Sequence, residues 1–127
     1  MGLDTYALQP FEQEDDVNEK QLMEARALRE THFKDLPGEL IGGLFSGTGE
    51  DGSFRGKAYD ADVEKLTGES LYQEEIDNES VKGMAECLNK AVRNGKKVMV
   101  EHDDHLPILA AWFTVAADNG YTVNGWW

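Results

Sequence analysis

Cysteine occurs once in the chain, at Cys87, so no disulfide can form within it. Any core must come from burial alone, and a chain of 127 residues buries roughly 65% or more of its unfolded surface, enough for one domain without staples. No apolar run reaches the ~18 residues that a membrane helix needs. The longest, residues 106–117, is broken by Pro107 and Thr114. No basic, apolar stretch of the signal-peptide kind stands at the N-terminus, so the expected location is the cytoplasm, where a lone thiol stays reduced. Basic residues are also scarce: 12 stand against 25 acidic ones, for a formal net charge of −13. A surface of that sign repels phosphate backbones and anionic lipid, which argues against nucleic-acid and membrane partners. It leaves solubility, a high-salt habitat or a basic protein partner. Lysines outnumber arginines two to one, which does not favour the high-salt reading.

What the chain has is glycine in one place. Residues 42–56 read GGLFSGTGEDGSFRG and hold six of the 13 glycines. Glycine at that density serves turns and close backbone approach, so this segment is expected to be a structured loop between apolar ends. It superficially resembles a phosphate loop, but it lacks the Gly-Lys-Ser/Thr ending and carries Glu50 and Asp51, which would repel phosphate.

Around it the pattern alternates between strand and helix. Residues 3–8 predict a strand stopped by Pro10. Residues 12–16 (EQEDD) form an acidic patch at the expected start of a helix over 17–31, whose apolar face is Leu22, Ala25 and Leu28 with His32. Residues 41–45 and 54–59 predict short strands. Asp60 or Asp62 caps a short helix stopped by Thr67-Gly68, and Leu71, Tyr72 and Ile76 anchor the following connection. Val81, Met84, Ala85, Leu88, Ala91 and Val92 fall on one face of a long helix, capped by Asp77 or Asn78 and ended by Asn94-Gly95. Gly83 lies inside that helix at a cost of about 1 kcal/mol relative to alanine. Residues 97–101 (KVMVE) predict a strand and residues 106–119 a central helix, apolar over most of its circumference. Tyr121 and Val123 alternate with Thr122 and Asn124 in a last strand. The pattern indicates an α+β fold, a small sheet packed by helices in a single compact domain over residues 1–127. If the two strands flanking the central helix pair in parallel, they form a right-handed crossover.

Three constellations could carry function. His102, Asp103 and His105 are metal-ligand types at close quarters, though Asp103 or Asp104 can equally cap the helix that follows, with Pro107 in its first turn. Arg55 and Lys57 stand apart in an acidic protein; on a strand they share a face and could hold a ligand's carboxylate or phosphate, or pair with Asp51 or Asp60. Trp126 and Trp127 are adjacent, so strand alternation sends one towards the core and leaves the other as a rigid aromatic anchor for a partner, unless both close the core. Ser46, Ser53 and Ser70 lack the nucleophile-elbow pattern, and Cys87 follows Glu86, a poor setting for a reactive thiolate. Nothing calls for a cofactor.

The start Met1-Gly2-Leu3-Asp4, the pieces Gly42-Gly43, Ser46-Gly47, Ser53-Phe54-Arg55-Gly56-Lys57, Thr67-Gly68 and Ser70-Leu71-Tyr72-Gln73, and the ending Gly125-Trp126-Trp127 resemble a family of short uncharacterised bacterial proteins of unknown function. The resemblance spans most of the chain. It implies a bacterial or phage origin and a single compact domain, and supplies no catalytic residue. The expected function is a small acidic cytoplasmic protein-binding module, immunity- or inhibitor-like, that meets a basic protein. The alternative is a metal-dependent enzyme with its site near His102–His105. A third reading is a structural subunit of a homo-oligomer.

Overall fold

Alternation near the N-terminus puts Leu3, Thr5 and Ala7 inside and Asp4 outside, and this period of two builds the central strand β1 (Asp4–Leu8). The computed structural model describes residues 2–38, 40–41, 53–95, 100 and 102–127, apart from the side chain of Asp103. After β1 come a 3-10 turn (Pro10–Gln13), α1 (Glu19–Phe33), β2 (Phe54–Arg55), a 3-10 turn (Gly56–Ala58), α2 (Asp60–Thr67) and α3 (Asn78–Arg93). A further 3-10 turn (Asp103–His105) leads into α4 (Leu106–Asp118), and β3 (Thr122–Trp126) closes the order. The fold is α+β: four helices and a three-stranded antiparallel sheet of order β2-β1-β3 among the described residues.

β1 and β3 pair over their full length, from Asp4 opposite Trp126 to Leu8 opposite Thr122. β2 adds Arg55 opposite Asp4 and Phe54 opposite Thr5. The free side of β3 is closed by the connection before α3. Gly125 N–H donates to Gln73 O at 2.9 Å, and Ile76 and Val123 exchange bonds at 2.6 and 3.0 Å. Gly125 has to be glycine, because a Cβ there would lie 2.7 Å from Leu71 O and 2.8 Å from Gln73 O. The described strands form no parallel crossover: β3 returns antiparallel to β1. Residues 42–52, 96–99 and 101 lie outside the described set, and with them most of the glycine-rich segment and most of the strands expected at 41–45 and 97–101.

α4 is the centre of the core, as its composition indicates. Leu106, Leu109, Ala110, Trp112, Phe113, Ala116 and Ala117 are buried, and α3 lays Val81, Met84, Ala85, Leu88 and Ala91 beside them. Trp112 is the hub of an aromatic chain, with ring centroids 5.3 Å from Phe33 and 5.0 Å from both Phe54 and Phe113. Asp77 caps α3 by accepting from Ser80 N–H at 2.8 Å. Gly68, with φ 80°, ends α2.

Several local expectations are corrected. α1 buries Ala25, Arg29 and Phe33, while Leu22 and Leu28 remain 42% and 45% exposed. The helix rests on the body along a narrow stripe near its C-terminal half, so its leucines lie off the contact. Asn18, not the acidic patch, caps α1. The span 54–59 is strand only at Phe54–Arg55, because Gly56 turns the chain into a 3-10 helix. Lys57 therefore does not share a strand face with Arg55. α2 has no side-chain cap; Asp60 instead accepts from Leu71 N at 2.7 Å and Ser70 Oγ at 3.0 Å. His105 holds the N-cap position of α4, so Asp104 does not cap it, while Pro107 occupies the first turn as expected.

Candidate functional site

Strand register builds the site. Asp4 in the central strand faces Arg55 on one side and Trp126 on the other, so Arg55, Asp4 and Trp126 form one row across the outer face of the sheet. Two features that are 71 residues apart in sequence thus meet through a residue that the sequence does not single out. Arg55 Nε lies 3.8 Å from Asp4 Oδ1, and both side chains are half exposed. Trp126 is 71% exposed and Trp127 50%. Neither enters the core: Trp126 is on the solvent side of the pleat, and Trp127 lies past the last strand residue, edge-on against Tyr72 at 5.6 Å. Gly2, Asp4, Arg55, Trp126 and Trp127 line a shallow cleft of about 410 Å³. Gly2 forms part of its floor, where a Cβ would approach Arg55 Nη1 to 3.2 Å.

Two residues away along the strands, the same face is covered. Gln13, at the end of the first 3-10 turn, donates through Nε2 to Asn124 Oδ1 (3.1 Å), Thr122 Oγ1 (3.3 Å) and Glu75 Oε1 (2.8 Å). This is why Thr122 and Asn124 are buried on a face that turns away from the helices. The exposed acids Glu14, Asp15 and Asp16 follow directly.

Glu12 belongs to the acidic patch in sequence only. Its carboxylate is buried and holds Arg29 Nη1 at 2.6 Å, with side-chain exposures of 3% and 6%, and it accepts Gln9 N–H at 2.6 Å. This pair ties the 3-10 turn to α1. Beside it, His32 Nδ1 lies 2.9 Å from Tyr121 Oη. Burial raises the pKa of the Tyr121 hydroxyl, against the opposing pull of Arg29 and Gln9.

The histidines form a separate group. Tyr59 Oη accepts Ile41 N–H at 2.8 Å and lies 2.7 Å from His105 Nδ1. Tyr59 Oη already accepts from Ile41, so its hydroxyl donates to His105 Nδ1, and the neutral ring carries its proton on Nε2, 3.7 Å from Asp104 Oδ2. Burial raises the Tyr59 pKa, with Ile41 N–H opposing and Asp104 adding to the rise. His102 stacks on His105 with centroids 5.7 Å apart. Among the described residues no group of three His, Cys, Asp or Glu side chains gathers as a metal site. The side chain of Asp103, the third expected ligand, lies outside the described set. Neither histidine lines the cleft between Arg55 and the tryptophans.

A larger groove of about 1020 Å³ runs between α3 and α4, edged by Lys82, Lys90 and Arg93 against Glu86 and Asp118. The polar side chains there already serve the fold: Asn78 donates to Ala117 O and Tyr121 O, and Asn89 to Ala85 O and Thr114 Oγ1. Cys87 is half-buried on α3. No helix among the described residues is long and apolar enough to cross a membrane.

No protein-family model, no curated protein and no solved structure matches this chain.

Proposed function

We propose that this chain is a protein-binding module that meets a basic partner, in an immunity- or inhibitor-like role. The observation that carries the reading is the pair of exposed tryptophans at the end of the sheet, set beside Asp4 and Arg55 in a protein of net charge −13. Tryptophan is among the residue types that most often dominate binding energy, and large aromatic surface left in water usually marks a contact surface. The excess acid supplies long-range attraction and partner choice. The candidate residues support binding over chemistry: Arg55 joins the tryptophans at the cleft, while Nδ1 of His105 is taken up by Tyr59 Oη and neither histidine lines that cleft.

The test is retention of basic proteins from a native bacterial lysate on the immobilised chain, at low salt and at about 0.5 M, where surface attraction is largely screened. The charge-reversal variant is Glu14→Lys, Asp15→Lys and Asp16→Lys. Glu12 is left intact, because its carboxylate holds the fold. The expected result is a basic protein held at low salt, weakened at high salt and weakened by the triple variant. Retention indifferent to both changes would sink the reading.

A further inference from the structure

We propose that the aromatic cleft seats an arginine or lysine side chain of the basic partner, stacked on the indole of Trp126 with Asp4 as its counter-ion. The inference rests on the protein-binding reading above and names the contact at its centre. Tryptophan offers the strongest aromatic face for a cation, within about 6 Å of the ring. Asp4 stands directly across the strand pair from Trp126, where facing Cβ atoms are about 4.5–5.5 Å apart, so one cation can reach both groups. The carboxylate has capacity to spare. Its contact with Arg55 is 3.8 Å long and half exposed, beyond hydrogen-bonding distance. Trp127, held edge-on by Tyr72, walls the cleft on a further side.

Arg55 gives the seat a direction. It blocks a second cation on the β2 side, so the basic segment has to leave the other way, along the outer face past Asn124. There it meets Glu75, and beyond Gln13 it meets Glu14, Asp15 and Asp16. A basic polypeptide satisfies both the aromatic end and the acidic end of that path. An acidic peptide would be repelled along the acidic end.

The experiment is fluorescence anisotropy of dye-labelled hexa-arginine, with hexaglutamate as control, titrated with the full chain at low salt. Trp126→Ala is expected to weaken binding by about 5-fold or more, and Trp126→Phe by less, because the phenyl ring keeps part of the attraction. Asp4→Asn is expected to weaken it about 3-fold. Arg55→Ala should tighten it by removing a like charge beside the seat. Thermal melting checks that each variant folds. If Trp126→Ala and Asp4→Asn bind as the wild type does while the Glu14, Asp15, Asp16 reversal abolishes binding, the seat is wrong and the basic-partner reading stands. If the wild type binds no hexa-arginine, or prefers hexaglutamate, both fail.

Discussion

Glu12 and Arg29 show what individual side chains decide in this protein. A buried ion pair stabilises only while both members are present, because removing one leaves the other charged and dry. Glu12→Ala and Arg29→Ala are each expected to cost about 3–5 kcal/mol by urea unfolding. The double change Glu12→Leu with Arg29→Met should lie closer to the wild type than either single variant. Equal and additive losses would show that the pair is not coupled. The sequence hides Glu12 in a run of five residues that resembles a solvated patch. One signal was available: Arg29 falls at i+4 from Ala25 and i−4 from Phe33, the stripe that α1 buries. Trp126 and Trp127 could be read as a candidate surface from residue type alone. Asp4 could not, because its place beside them follows from pairing between the two ends of the chain.

At the scale of elements, α3 was legible because its apolar residues repeat with the helical period, and α4 because it is apolar over most of its circumference across a helix-length run. α1 was legible as a helix, but its buried face was not. Its apolar residues are distributed around the axis, and tertiary contact chooses among them. The short β2 failed as a six-residue strand because Gly56 O accepts from Tyr59 N–H at 3.0 Å and the backbone turns into a 3-10 helix there, which no local period announces. Within α3, Gly83 is exposed, and a Cβ built on it meets nothing within 4 Å. No close packing requires that glycine, so Gly83→Ala should stabilise the protein by about 1 kcal/mol, read as a raised urea midpoint. A destabilised variant would mean that α3 contacts something at this position.

For the whole molecule, titration and charge set the behaviour. Burial lifts the hydroxyls of Tyr6, Tyr59 and Tyr121 above the ordinary value of 10.0. A folded value above the unfolded one means that the native state holds its proton more tightly. The stability this contributes is complete below pH 10 and is lost as pH rises through the folded values. Urea midpoints should therefore fall steeply above about pH 10. Tyr59→Phe, which frees Ile41 N–H and His105, should flatten part of that fall while lowering stability at neutral pH. A midpoint flat to pH 11.5 would contradict the burial of these hydroxyls. The α+β class was readable in the sequence; the meeting of Arg55 with the tryptophans was not, since it depends on which strand takes the centre of the sheet.

The most direct test of the partner surface compares the wild type with the double variant Trp126→Ala, Trp127→Ala, each immobilised and challenged with bacterial lysate at low and at about 0.5 M salt. Both side chains are exposed, so the double variant should fold as the wild type does. A basic protein held by the wild type at low salt, released at high salt and not held by the double variant is the expected result. The same protein held equally by both would contradict the proposal that this aromatic end of the sheet is the binding surface.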